Sequence, residues 1–261
     1  MSEHILSDSK MSKGPSLFWT LTEGRGIFEF NAFYAARLLM KRLPKGDGHP
    51  VIVFPGFVGS DRSTKPMRGL LKDLGYKTFG WGLGRNLVFN ASREAEMREL
   101  LERVFKAEGR KVTLIGWSLG GVFAREIAKA NPDYVRGVIT LGSPISGDLD
   151  QSSARRLYEF FNGPATSEMK ARLKTIATAP PVPTTSIFTK TDGIVAWRAS
   201  VQKAGENKNI ENISLPASHM GLGVNPLVMV ALADRLAQKE GEWTPFKASG
   251  YQKLLFKNPK T

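Results

Sequence analysis

From Pro50 onward, short apolar runs alternate with amphipathic stretches. The runs fall at residues 51–54, 76–81, 112–115, 138–141, 185–188 and 210–215. Several, such as Val51-Ile52-Val53-Phe54, are continuously apolar rather than alternating, the pattern of strands covered on both faces. Between them, segments 64–74, 93–108, 119–130 and 224–238 repeat apolar residues at helical spacing. In 93–108, Met97, Leu100, Leu101, Val104 and Phe105 form a stripe with Glu and Arg opposite. Strand and helix alternating in this way predict an α/β fold: a central, mostly parallel sheet flanked by helices.

The rhythm breaks at 148–184, read as a small helical insertion that ends in the extended Ala179-Pro180-Pro181-Val182-Pro183. Two readings stand, a cap over the site and a surface crossover. The organisation expected is a partly helical leader over 1–45, an α/β domain over 46–240 and a basic tail over 241–261. The tail carries Lys247, Lys253, Lys257 and Lys260 and reads as a solvated extension.

Residues 17–43 are the most apolar stretch, yet Glu23, Arg25, Glu29 and Arg37 interrupt it. It falls short of the roughly 18 uninterrupted apolar residues a membrane span requires. Residues 1–16 have no apolar core of a secretory signal, so the chain is expected in the cytoplasm. The formal net charge of +13 over 261 residues favours anionic surroundings. Aromatic and basic residues in the leader suit peripheral association with an anionic inner membrane surface; docking on the body of the protein or on a second subunit is the other reading. Nucleic-acid binding has no module to support it. With no cysteine and three histidines, the sequence offers no metal site, and no nucleotide-binding glycine motif is present. No cofactor is expected.

The chemistry is sharpest at Gly116-x-Ser118-x-Gly120, set between the β-branched run 112–115 and a helical pattern. A serine on a tight strand-to-helix turn sits in a strained backbone, and small residues two positions away let the chain pass. Serine needs a base, and elimination leads to His219: His4 lies in the leader, and His49 precedes the first strand at the opposite edge. His219 follows the last strand, where open α/β sheets place their sites. Two carboxylates compete to orient it, Asp192 in Thr191-Asp192-Gly193 and Asp148 after the fourth strand, with Asp192 preferred. A tetrahedral intermediate would draw backbone N–H groups from Leu119 and from Phe57 in the Pro55-Gly56-Phe57-Val58-Gly59 loop. Trp81, Leu83, Arg85 and Trp117 are candidate pocket residues near strand ends.

Together, 51–61, 116–121, 140–144, Asp192-Gly193-Ile194-Val195 and Ser218-His219-Met220 resemble the α/β-hydrolase superfamily, most of all its bacterial lipase and esterase branch. The resemblance covers about 50–240. It implies an α/β-hydrolase fold and ester hydrolysis through an acyl-serine, with Ser118 as nucleophile, His219 as base, Asp192 as its orienter, and Phe57 and Leu119 as oxyanion donors. The chain departs from the pattern twice. Pro55-Gly56 stands where His-Gly is usual, so that loop must be anchored differently, and Trp117 stands where lipases commonly carry His. The expected substrate is an acyl ester or lipid-like molecule. An acyltransferase or thioesterase on the same triad, and a catalytically silent protein that binds a lipid or partner, are the alternatives.

Overall fold

A computed structural model describes residues 15–87, 90–146, 175–203 and 205–259. Asp148 and most of the 148–184 insertion lie outside them, and so do the questions of a cap and of that competing carboxylate.

The described residues begin with α1 (Leu17–Leu21), a 3₁₀ turn (Glu23–Arg25) and α2 (Gly26–Met40). There follow β1 (Pro50–Phe54), α3 (Asp61–Asp73), β2 (Lys77–Gly80), α4 (Ala91–Glu108), β3 (Val112–Trp117), α5 (Leu119–Ala130) and β4 (Val135–Leu141). Beyond the insertion come β5 (Thr184–Phe188), β6 (Ile210–Ser214), α6 (Pro226–Ala237) and α7 (Gln252–Leu255). All pairings of the six strands are parallel, in the order β2-β1-β3-β4-β5-β6. β4 begins three residues before its predicted start, because Val135-Arg136-Gly137 pairs with β3 although it breaks the apolar run.

Alternate residues of each strand feed opposite faces. Val51 and Val53 join Phe33 and Met40 of α2, Met67 and Leu70 of α3, and Leu232 of α6 in one core. Ile52 and Phe54 join Met97 and Leu101 of α4 and Phe123 of α5 in the other. Burial on both faces is why these strands lack polar alternation.

After β1 the chain passes to β2 on one side, then returns to β3 on the other. The reversal opens a crevice at the carboxyl ends of β1 and β3, where a site is expected in an open parallel sheet. Loops after β5 and β6 reach the same end.

The tail is not a solvated extension. Phe246 and Phe256 are buried with ring centroids 5.1 Å apart, and Lys257 forms an antiparallel bridge with Ser214. β6 is an edge strand, and this return covers part of its unpaired backbone. The apolar residues decide where the tail goes; Lys247, Lys253 and Lys257 stay at the surface.

Candidate active site

Ser118 stands between β3 and α5 with φ 52° and ψ −122°. At Gly116 a Cβ would overlap the Cα of Gly121, and at Gly120 it would lie 2.5 Å from the Phe54 carbonyl oxygen. Only glycine lets strand, turn and helix close so tightly around the serine. The Ser118 N–H donates to the Leu141 carbonyl at 2.8 Å, pinning the turn to the end of β4. The positive end of the α5 dipole lies at this turn.

Among the described residues, Val58 (φ 60°) is the one other non-glycine with positive φ. Such a conformation is a true outlier for a β-branched side chain. Ser118 and Val58 line one cavity of about 430 Å³. Phe57, Trp117, Ile194, His219 and Met220 are also on its wall. Two strained residues on the wall of one cavity make it the candidate site.

Asn86 supplies the anchoring that Pro55-Gly56 leaves open. Its buried side-chain amide donates to the Pro55 carbonyl at 2.9 Å. Its backbone accepts from Val58 N–H and donates to the Gly59 carbonyl, both at 2.8 Å. Asp61 holds the neighbouring turn by accepting the N–H of Trp81 at 2.9 Å and of Gly82 at 3.1 Å. The loop after β2 therefore braces the loop after β1. Trp81 points into the α4–α5 core, Leu83 packs against that core, and Arg85 is exposed; none of the three lines the cavity. Trp117 does, and its indole N–H donates to the His219 carbonyl at 3.1 Å.

His219 and Asp192 are both buried, and His219 Nδ1 lies 2.7 Å from Asp192 Oδ2. A carboxylate only accepts, so Nδ1 is the donor in this bond, and in the neutral imidazole Nε2 is then the acceptor. Asp192 Oδ1 accepts the N–H of Ile194 at 2.9 Å and of Val195 at 2.6 Å, which fixes the carboxylate. Gly142, at φ +57°, makes room for the pair: a Cβ there would sit 3.2 Å from His219 Nδ1 and 3.3 Å from Asp192 Oδ2.

Sequence reasoning missed the residues that hold these two loops together. Glu23 accepts from Gly193 N–H (2.8 Å), His219 N–H (3.1 Å) and Met220 N–H (3.0 Å). Arg25 donates to the carbonyls of Thr191 at 2.5 Å and Ala217 at 3.0 Å. Glu29 accepts from Ser218 N–H at 2.6 Å and the Asn225 amide at 2.8 Å. Three of the four charges that interrupt the apolar leader turn inward onto the loops carrying Asp192 and His219, while Arg37 pairs with Asp73. Their signal was there: charged residues at 23, 25 and 29 in an otherwise apolar stretch need polar partners somewhere.

His49 is far from this chemistry. Buried beside β1, it lies 2.6 Å from Asp47 Oδ1 through Nδ1 and 3.0 Å from Thr113 Oγ1 through Nε2. Burial lowers its pKa to about 4, against the opposing bond from Asp47.

Among the described residues no helix is long and apolar enough to cross a membrane. In solved structures, the chain is similar to lipase B of Aspergillus fumigatus (TM-score 0.58, 18% identity, 78% of this chain and 56% of that one). It is also similar to Est1E of Butyrivibrio proteoclasticus (TM-score 0.57, 16% identity, 73% and 87%). At such identities the likeness is one of fold. A pimeloyl-[acyl-carrier protein] methyl ester esterase of Yersinia enterocolitica is 37% identical over 83 residues, 32% of this chain and 29% of that protein. The matched segment spans less than a third of that curated relative. The model of the Alpha/beta hydrolase family matches residues 24–255, taking in the leader from Gly24 as well as the sheet, and the chain belongs to that family.

Proposed function

We propose that the chain is a serine hydrolase of carboxylic esters, working through an acyl-serine. One observation carries the reading: the strained Ser118 and the Asp192-bonded His219 open onto the same cavity, whose wall is largely apolar. In this reading Ser118 Oγ attacks the ester carbonyl carbon and its proton passes to His219 Nε2. Asp192 steadies the imidazolium. The C–O bond to the leaving alcohol breaks as His219 returns that proton to the alcohol oxygen. Water, deprotonated by His219, then attacks the acyl carbon and releases the acid, restoring Ser118.

The backbone N–H groups of Leu119 and Phe57 are the proposed oxyanion donors. Leu119 is the first residue of α5, where N–H groups lack intrahelical partners. Gly56 brings the Phe57 loop close, since a Cβ on it would lie 3.3 Å from Ser118 Cβ. An apolar wall fits an acyl chain, and the Yersinia relative's name supports a small alcohol such as methanol as leaving group.

A fluorophosphonate probe, with the labelled residue mapped by mass spectrometry, tests this reading. Labelling at Ser118, abolished in Ser118→Ala and His219→Ala, is the expected result. A folded protein that stays unlabelled, in detergent as well as buffer, would overturn it and leave the non-catalytic binding reading ahead.

A further inference from the structure

Helix α2 is amphipathic the wrong way round for a helix facing water. Its inner face holds Glu29 and Arg37 beside Phe33 and Met40, with Arg37 bonded to Asp73 at 2.7 Å. Its outer face presents Phe28 (72% exposed) and Leu38 (76%), together with Ile27, Tyr34 and Leu39. α1 adds Leu17, Phe18 and Leu21. Nine of the fifteen large apolar side chains left exposed among the described residues lie between 17 and 39. Clustered exposure of this kind marks an interaction surface rather than ordinary surface.

Charge and position select its occupant. Both acidic residues of 17–45, Glu23 and Glu29, are bonded inward to the histidine loop. The basic residues that follow the apolar face, Lys41, Arg42 and Lys45, are exposed. An apolar face followed by three exposed cations, the neighbouring acid Asp73 being already paired with Arg37 and Lys41, on a chain of net charge +13, repels a second copy of itself and complements anionic lipid headgroups. The face also continues to the cavity. Gly26 packs on Met220, and Gly193 on Trp19 of α1. Met220 (53% exposed) and Val58 (45%) are cavity-wall residues that themselves stand out from the surface.

We infer that the outer face of α1 and α2 docks on an anionic lipid bilayer, holding the mouth of the Ser118 cavity against the membrane. The fifteen residues of α2 cannot span a bilayer, so the helix lies along its surface. The docking itself is independent of the proposed esterase chemistry. Its consequence for substrate rests on that chemistry: the ester is lipid-like and enters from the membrane side.

Flotation of the full chain with vesicles tests the docking without any reference to turnover. The vesicles are phosphatidylcholine alone, or phosphatidylcholine with one third phosphatidylglycerol. The wild type and Ser118→Ala are expected to float equally with the anionic vesicles. The double variant Phe28→Ser/Leu38→Ser is expected to lose at least about tenfold in partition while keeping the wild-type thermal midpoint. Leu17→Ser/Leu21→Ser on α1 provides an independent pair should the first misfold. A wild type that remains unbound would overturn the inference, as would undiminished flotation of folded variants. So would a wild-type dimer that never floats and that the same substitutions dissociate, which would assign the face to a second copy.

Discussion

Glu23 accepts the backbone N–H of His219 with the same oxygen, Oε1, that accepts the N–H of Gly193, the residue after Asp192. One carboxylate from the N-terminal segment thereby sets the spacing of two loops that the sheet alone delivers at the ends of β5 and β6. Removing it in Glu23→Ala leaves three N–H groups without their acceptor and frees the loops to drift. A misplacement near 1 Å in a reacting constellation costs on the order of a hundredfold in rate. We expect kcat on a short soluble ester to fall about ten- to hundredfold, with KM within about twofold. Glu23→Gln, which keeps one accepting oxygen, should fall between. Counting active sites with the fluorophosphonate probe separates this from instability, which would lower the number of sites and leave kcat per site unchanged.

Asp192 offers a sharper test of the same apparatus. Asp192→Asn preserves the shape but can present an N–H to His219 Nδ1, favouring the tautomer with the proton on Nε2, which cannot accept from Ser118. A loss of about 10⁴-fold in kcat is expected, as for a wrong tautomer elsewhere. Asp192→Ala should be similarly impaired while the protein stays folded. Activity of Asp192→Asn within tenfold of wild type would remove Asp192 from its proposed role and reopen the choice of carboxylate.

What the sequence discloses here tracks how local the encoding is. The Ser118 turn is written within residues 112–124, where a β-branched strand, two necessary glycines and a helix pattern adjoin. His219 emerged because only three histidines compete, and the strand order then places it on the crevice. Glu23, Arg25 and Glu29 act across more than 160 residues of chain, beyond any periodicity, so their charges read only as breaks in an apolar segment. Trp81 shows another limit: lying at a strand's carboxyl end does not say which face of the sheet a side chain enters, and this one enters the core. Asn86 braces Pro55 from 31 residues away, a pairing that no local pattern announces.

Gly120→Ala tests how the turn and the facing loop depend on each other. The added Cβ would lie 2.5 Å from the Phe54 carbonyl oxygen and 2.6 Å from that of Pro55. Both are backbone atoms at the end of β1, so no flexible side chain can yield. Overpacking of this kind costs about 1–3 kcal/mol or more, and here it also displaces the loop bearing Phe57. A lower thermal midpoint and weaker probe labelling of the folded fraction are expected together. A variant that loses stability yet labels at the wild-type rate would show that the position of the Phe57 loop does not matter to the serine.

At the other end of the sheet, His49 makes a prediction about acid sensitivity that is separate from catalysis. Burial, helped by the nearby charge of Arg136, lowers its pKa from an ordinary 6.5 to about 4, although the bond to Asp47 pulls the other way. Burial would raise the Asp47 carboxyl, but bonds from Arg136 and His49 outweigh it and hold the group well below the usual range, so it stays charged. Between about pH 6.5 and pH 4 the unfolded chain takes up a proton at His49 that the folded chain refuses. Stability therefore falls as the pH drops through that window, by about 3 kcal/mol at this site, and falls no further on its account below pH 4. His49→Gln keeps a polar side chain beside Thr113 but cannot titrate. Urea unfolding at a series of pH values should give a wild-type curve steeper than the variant's by that amount between pH 6.5 and pH 4. Parallel curves would mean that His49 is protonated as readily in the folded protein as in the unfolded chain.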